Sequence, residues 1–402
     1  MSAAKKAPVK EPEHALLNAS GAHRWLVCTP SARLEETLEE KTSEDAEKGC
    51  QAHSIAELKL RKYFLEPMGA KTYNSRLKKL QESPYYEESM MRNTDLYLEY
   101  VQKIVHSYAE RPYIGVEKRV EYGIYAPEGF GTSDCIIIGG ETMYVIDYKN
   151  GKGKPVSAFE NVQMKLYGLG AYHLYGFLFS IKKAVLVIIQ PNVWDEPSEW
   201  EISIEELLAW GESIIFTAQM AFDGKGEFIQ GDHCQFCRAK ALCRARATFN
   251  LGLEEYHMLK PPLISDEEVG QILQRAQNLA AWAKNLEDYA LAQCLAGNTI
   301  PGWKAVHGTS KRAWLDQDGA FNLLKATGTN ETMLYTREPL SLAKVEELIG
   351  KKQFKEQLAQ FVNTPPGKPT LVPESDKREA IKQQSAAEIF KAADEERRNE
   401  NE

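Results

Sequence analysis

The sequence predicts an α/β fold: a helix, a three-stranded meander, a helix and a further strand, followed by a helical C-terminal region. Three observations carry this expectation. The hydrophobic period shortens from about 3.6 to 2 near Arg119 and returns to about 3.6 near Ser157. Within that window, residues 119–125, 132–138 and 143–149 read as three consecutive strands, separated by Pro127-Glu128-Gly129 and Gly139-Gly140. Residues 184–189 are wholly apolar and closed by Pro191, the pattern of a strand covered on both faces. A helix over 157–179 would then support the sheet.

The remaining elements follow in order. Residues 1–18 are polar and read as a flexible leader, after which Ser20 caps a short segment containing His23, Arg24, Trp25 and Cys28. Residues 33–48 are acid-rich and read as a solvated surface, while 52–64 and 85–108 repeat apolar residues at helical spacing. Further helices are expected over 204–222, 266–295 and 342–361, and a small hairpin over 303–314 whose Trp303 and Trp314 pack a minor core. Pro365-Pro366-Gly367-Lys368-Pro369 opens an extended connector that leads to a charged tail over 378–402. The division expected is therefore a leader (1–18), an α/β domain (19–250), a mainly helical accessory region (251–364) and a connector with tail (365–402).

Composition excludes several classes. With 402 residues, the chain is long enough for two or three domains. The N-terminal stretch has no apolar segment of signal-peptide type, and the longest aliphatic run is far short of the ~20 residues that cross a bilayer. No membrane association is expected. Seven cysteines, an odd number in a large chain, read as reduced thiols in a cytoplasm. Fifty-seven acids against 49 bases leave a net charge of −8, which argues against indiscriminate binding of nucleic acid over the whole surface.

The most informative segment runs from Gly131 to Lys149. If Gly140-Glu141 forms a two-residue type II′ turn, paired residue numbers sum to 281 and Asp134 faces Asp147, at about 4.5–5.5 Å between side-chain origins. If the turn is Gly139-Gly140, the two acids become diagonal neighbours about 7–8 Å apart. Period two places Lys149 on the face of Asp147. Two carboxylates forced together call for a cation, and a hard divalent ion such as Mg²⁺ or Mn²⁺ both satisfies them and lowers the pKa of a bound water. On these residues alone, a surface salt bridge remains the competing reading.

Two neighbouring segments extend the pattern. Gln163 and Tyr167 lie four residues apart on the helix after the lysine strand and share a face; upstream, His53 and Glu57 do the same on another helix. The order His53, Asp134, Asp147-Tyr148-Lys149, Gln163-x-x-x-Tyr167 resembles the RecB-like branch of the PD-(D/E)XK nuclease superfamily, across residues 20–246. The resemblance implies a restriction-endonuclease-like core. It implies that His53, Asp134, Asp147 and the Tyr148 carbonyl bind Mg²⁺ or Mn²⁺, that Lys149 assists the attacking water, and that Gln163 and Tyr167 line the site and contact DNA. The sequence also looks like a phage-associated family of RecB-like proteins that shares Trp25-x-x-Cys28 and Gly129-Phe-Gly-Thr-x-Asp134.

Cys234-x₂-Cys237-x₅-Cys243 supplies three thiolates, one short of a closed four-ligand site. Cys28 is the candidate fourth. The arrangement of one cysteine before the core and three after it resembles the AddB-type iron–sulfur nucleases and implies a [4Fe–4S] cluster, with zinc held by Cys28 or His233 as the rival. Such a group would close a loop of about two hundred residues that otherwise carries an entropic cost. Cys50, Cys135 and Cys294 read as small buried apolar residues.

The function expected is a metal-dependent DNA nuclease, an exonuclease in phage or bacterial DNA processing or recombination, located in the cytoplasm (the host cytosol if phage-encoded). Its partners would be single- or double-stranded DNA and a phage single-strand-binding or recombination protein. The alternatives are a non-cleaving or partner-dependent nucleic-acid binder of the same fold, and a structural or assembly protein. Charge segregation favours the first reading: residues 149–183 hold six lysines against Glu160 alone, and the acidic excess is concentrated in 33–48, 195–206 and 394–402.

Overall fold

A computed structural model describes residues 14–39, 43–252, 266–307, 315–326, 330–331, 334–335 and 340–362. The chain divides into two compact units, one running to Val306 and the other beginning at His307. Among the described residues, no helix is long and apolar enough to cross a membrane.

In the first unit, two short helices, α1 (Ala22–Trp25) and α2 (Ser31–Glu36), precede three longer ones, α3 (Glu44–Leu60), α4 (Ala70–Gln81) and α5 (Ser89–His106). The meander follows: β1 (Tyr113–Glu121), β2 (Phe130–Gly139) and β3 (Thr142–Tyr148), antiparallel throughout. Helix α6 (Val162–Tyr175) crosses over to β4 (Lys183–Ile189), which runs parallel to β3, and β5 (Ser198–Ser203) returns antiparallel at the edge. Next come α7 (Ile204–Asp223), α8 (Arg244–Leu251) and the long α9 (Asp266–Leu295).

The sheet is buried on both faces, and the side chains sort by parity. Ile136, Ile138, Met143, Val145, Ala184, Leu186 and Ile188 join a core with α6 and α7. Cys135, Ile137, Ile146, Tyr148, Val185, Val187 and Ile189 join the core under α3 and α5. This is why residues 184–189 carry no polar position, and each such buried aliphatic contributes roughly 1.5–3 kcal/mol. The β2–β3 register is Cys135↔Ile146 through Gly139↔Thr142, so Gly140-Glu141 is the turn. Only Gly140 of the two has positive φ, +56°, as a type II′ turn requires.

Several expectations are corrected. The first strand begins at Tyr113, not Arg119, and ends at Glu121, and Tyr122–Ala126 form a turn with the Ala126 N–H bonded to the Tyr122 carbonyl. The cause is a change of face inside the strand: Val116 packs under α3 and α5 whereas Val120 packs under α6. Between them Glu117 adopts φ +49° and drops out of the pairing. Alternation is therefore out of phase before Arg119. Helix α6 is shorter than 157–179, because Asn161 caps it through Oδ1 to the N–H groups of Gln163 (3.0 Å) and Met164 (3.2 Å). Strand β5 lies inside what reads in sequence as an acidic run. Helix α4 is not singled out in sequence; it has no fully buried residue, and its apolar stripe is narrow, with Leu77 and Leu80 packing part-buried against the core under α3 and α5. The leader expectation fails at its end: Ala15 and Leu17 are buried, and the Leu17 carbonyl accepts the Tyr122 hydroxyl at 3.1 Å.

Residues 266–295 form the helix expected of them, and Trp282 of α9 donates its indole N–H to the Ala241 carbonyl at 2.9 Å, within the same unit as the sheet. The second unit holds α10 (Gln317–Ala326), α11 (Leu342–Ile349) and α12 (Lys351–Leu358); Gly350, at φ +82°, splits the single helix expected over 342–361. The hairpin over 303–314 falls partly outside the described residues, which show only an Ile300–Trp303 bridge, with Trp303 70% exposed. Residues 1–13 of the leader, and the connector and tail from 363 onward, also lie outside them.

Candidate active site

The two acids come from adjacent antiparallel strands near the ends of their ladder. Asp134 on β2 follows Phe130-Gly131-Thr132-Ser133, and Asp147 on β3 precedes Tyr148; both are buried. With the register summing to 281, they occupy opposed positions one step beyond Cys135↔Ile146. Lys149 extends β3, its N–H donating to the Ile189 carbonyl at 2.8 Å, and its Nζ lies 2.9 Å from Asp147 Oδ2.

Three other elements converge on the pair. From α6, Gln163 Nε2 donates to Asp147 Oδ1 at 3.4 Å and to the Tyr167 hydroxyl at 3.3 Å. Tyr167 lies against β2 where Gly131 leaves room for it: a Cβ there would sit 2.7 Å from the tyrosine ring. From α3, His53 Nδ1 approaches Asp134 Oδ2 at 3.4 Å, and its ring meets Tyr148 edge-on at 5.5 Å. Tyr148 in turn stacks on Tyr97 of α5 at 5.2 Å and donates its hydroxyl to Asn150 Oδ1, so the strand that carries Asp147 is wedged between helices.

From β1 comes Glu117, absent from the residues singled out in the sequence. Its positive φ is a conformation that costs a glutamate of order 1–3 kcal/mol and that recurs at functional sites. Ligand atoms of His53, Glu117 and Asp134 lie within 4.8 Å of one another, the sole such group of three or more among the described residues. An imidazole with carboxylate oxygens is a donor set that suits Mn²⁺ or Mg²⁺. No side-chain pattern in the sequence marks Glu117: Val116 and Val120 keep the same parity, and only the backbone at Glu117 sends them to opposite faces.

Burial and mutual charge drive the site's protonation. Burial alone would raise the Asp134 pKa, but His53, the Tyr148 N–H (2.7 Å) and Lys149 outweigh it and hold the carboxyl below the usual range. Burial raises that of Asp147, with Lys149 opposing and Asp134 reinforcing the rise. Burial pushes Glu117 to about 7, reinforced by Asp134. Burial would lower His53, yet the Asp134 carboxylate overrides it and raises the imidazole to about 9. Lys149 is likewise raised by Asp147 and Asp134 against the effect of burial. Neighbouring carboxylates with pKa values driven apart are characteristic of sites that divide acid, base and ligand roles.

Away from this cluster, Cys28, Cys234, Cys237 and Cys243 line one small cavity together with His233, Arg24 and Arg246. The first three cysteines are buried and Cys243 is half-buried. Glu35 anchors the wall, accepting from the Arg24 guanidinium and from the Arg238 N–H at 2.7 Å. Among the described residues, no three of these sulfurs fall within 4.8 Å of one another, whereas Zn–S bonds of about 2.3 Å in a tetrahedron set sulfurs about 3.8 Å apart. Of the other cysteines, Cys135 is buried as expected, whereas Cys50 is exposed and Cys294 half-buried; both sit on helix faces that no core covers.

The basic segment 149–183 is less cationic in space than in sequence. Lys149 pairs with Asp147, Lys152 with Glu87, Lys165 with Glu160, Lys182 with Glu141 and Lys183 with Glu201. The acid of β5 folds back onto β4 and neutralises one of the lysines credited to the site.

Among solved structures, the chain is similar to that of SSO0001, at 19% identity over 56% of this chain and 96% of that one, with a TM-score of 0.23. It is similar to an alkaline exonuclease (LHK-Exo) from Laribacter hongkongensis at 14% identity, covering 43% of this chain and 86% of that one, with a TM-score of 0.23. The same exonuclease in complex with dAMP matches at 14% identity over 43% and 87% of the two chains, with a TM-score of 0.23. A family model described as "Protein of unknown function (DUF2800)" matches residues 14–379.

Proposed function

The chain belongs to the DUF2800 family, whose description assigns no activity, and on that premise we propose that it is a divalent-metal-dependent deoxyribonuclease of the PD-(D/E)XK type. One observation carries the reading: His53, Glu117, Asp134, Asp147, Lys149 and Gln163 converge from five elements on one cluster of interacting side chains. A structural salt bridge needs one acid and one base. This cluster instead gathers three carboxylates around one lysine and one histidine, a surplus of negative charge that a bound cation balances.

His53, Glu117, Asp134 and Asp147, with the Tyr148 carbonyl, are the groups that would hold Mg²⁺ or Mn²⁺. The ion supplies charge stabilisation to a phosphoryl oxygen and a lowered pKa to its water. The protein's own residues do the rest. Lys149, held cationic by two carboxylates, orients the incoming water and offsets negative charge as it develops on the phosphate. Gln163 fixes Asp147 through Oδ1 and is itself fixed by Tyr167, so α6 sets the angle of the second acid. DNA is the substrate class, and exonucleolytic hydrolysis the mode proposed.

The four cysteines would hold a [4Fe–4S] cluster, zinc being the rival occupant. Their chemistry fits: four thiols from segments about two hundred residues apart line one cavity. Protein purified without oxygen should be brown and contain iron and acid-labile sulfide. Bound zinc in their place would select the rival, and a colourless, metal-free protein would remove the cluster altogether.

The activity is tested by incubating anaerobically prepared protein with end-labelled linear and closed circular DNA, single- and double-stranded, in Mg²⁺ or Mn²⁺. Loss of label from linear DNA with circles intact is expected of an exonuclease. Binding without cleavage under either ion would favour the non-cleaving alternative.

A further inference from the structure

The helix that carries His53 does not end cleanly. Beyond Leu60, residues Arg61–Leu65 widen into a π turn, closed by the Glu66 N–H donating to the Arg61 carbonyl at 2.7 Å. Such turns are rare and recur at functional sites. Here Phe64 stays in the core while Tyr63 is left 50% exposed. Beside the turn opens a cavity of about 630 Å³ lined by Lys62, Tyr63, Glu66, His106, Tyr108 and Arg111 together with apolar neighbours. That volume is in the range that accommodates a small organic ligand.

The lining has a consistent chemistry. Tyr63 meets the Phe64 ring edge-on at 4.7 Å, and its hydroxyl lies 3.5 Å from His106 Nε2, which steadies an otherwise exposed ring. Lys62 Nζ sits 3.7 Å from the centre of the Tyr73 ring, and the Arg111 guanidinium donates to the Phe64 carbonyl. Glu66, the one carboxylate among the described lining residues, is ion-paired to Arg61 (3.2 Å) and Arg76 (3.7 Å). Two cations therefore stand beside exposed aromatic surface with the local acid already neutralised. An apolar ligand would have no use for those cations, whereas a base carrying a phosphate uses both features.

We propose that this cavity is a nucleotide subsite, in which a base of single-stranded DNA stacks on Tyr63 while Lys62 and Arg111 hold its phosphate. The proposal rests on the nuclease reading above and adds a path for the strand. His53, Glu57 and Arg61 recur every fourth residue and share one helix face, with Arg61 Nε bonded to Glu57 Oε1 at 2.7 Å. Ten residues separate His53 from Tyr63, roughly 15 Å along the helix, or about four stacked nucleotides at ~3.4 Å each. Glu57 and Arg61 also act electrostatically on Glu117, and Arg61 in turn pairs with the cavity-lining Glu66 at 3.2 Å, which links the carboxylate cluster to the cavity. Stacking accepts any base but needs it unpaired, so the subsite selects single strands without selecting sequence.

The test is fluorescence anisotropy on the full-length protein in Ca²⁺, with a fluorescein-labelled twelve-residue oligothymidine and a blunt duplex of equal length. Tyr63→Ala should weaken binding of the single strand by about tenfold, Tyr63→Phe should retain it, and the duplex should change by less than about twofold. Lys62→Ala should lower the salt slope for the single strand by about one. Melting curves establish that each variant folds, as expected for half-exposed positions. Undiminished single-strand binding by Tyr63→Ala, or an equal loss for duplex and single strand, would overturn the subsite. Mn²⁺-dependent cleavage of linear duplex by the wild type, run in parallel, separates that outcome from failure of the nuclease reading itself.

Discussion

Glu117 and His53 carry the site's response to pH. Each has a folded pKa above its unfolded value: Glu117 rises from 4.5 to about 7, and His53 from 6.5 to about 9. The folded protein therefore binds more protons than the unfolded chain across both windows, and stability falls as pH rises through them. Glu117 contributes its loss between about 4.5 and 7, and His53 between about 6.5 and 9. The metal-free protein should show a melting temperature that declines steadily from pH 5 to 9, with Glu117→Gln flattening the acidic half and His53→Gln the alkaline half. Mn²⁺ affinity, measured by calorimetry, should move oppositely, tightening as both groups lose protons. A flat melting profile for the metal-free wild type would contradict this. Asp134, Asp147 and Lys149 were legible because strand register and alternation place them on one face, whereas helix spacing paired Gln163 only with Tyr167 and the family resemblance alone implied that they line the site. Glu117 was not, because its approach depends on a backbone turned to φ +49°, which no side-chain pattern encodes.

At the scale of elements, the site is a joint between β2, β3 and α6 that tolerates little slack. Gly131 is where Tyr167 of α6 meets β2: a Cβ would stand 2.7 Å from the tyrosine ring. Gly131→Ala should displace Tyr167, release Gln163 from Asp147, and reduce cleavage more than it reduces stability. A stability cost of about 1–3 kcal/mol is expected from the overpacking. Chemical denaturation and cleavage rates on the same variant check both halves of that statement. The second through fourth strands and most helices were readable because their apolar periods are uninterrupted. Strand β5 was hidden by its own acids: Glu199 and Glu201 point to partners, the Tyr100 hydroxyl (2.8 Å) and Lys183 (2.8 Å), that only the folded sheet brings near. The same folding explains why the +5 counted along 149–183 does not survive as a bare cationic patch.

At the scale of the whole molecule, the cysteine cavity joins the segment before the sheet to the segment after it. Cys28 follows α1, and Cys234, Cys237 and Cys243 precede α8. The cluster proposed there would close a loop of about two hundred residues and so restrain the unfolded chain. Cys28→Ser should therefore lower the melting temperature of anaerobically prepared protein and speed proteolysis of 19–30, while a Cys50→Ser control, at an exposed position, should leave both unchanged. The long acidic balance of the chain is compatible with DNA binding only where charge is focused, so cleavage should be strongly inhibited by salt.

In the function proposed above, the cluster around Asp147 performs metal-dependent hydrolysis with Lys149 assisting the attack. Its most direct test is the single-turnover rate of linear DNA cleavage in saturating Mn²⁺, compared between the wild type and Lys149→Ala. Lys149→Ala should lose at least about a hundredfold in rate, with the fold and Mn²⁺ binding retained. Cleavage by Lys149→Ala at the wild-type rate would contradict it.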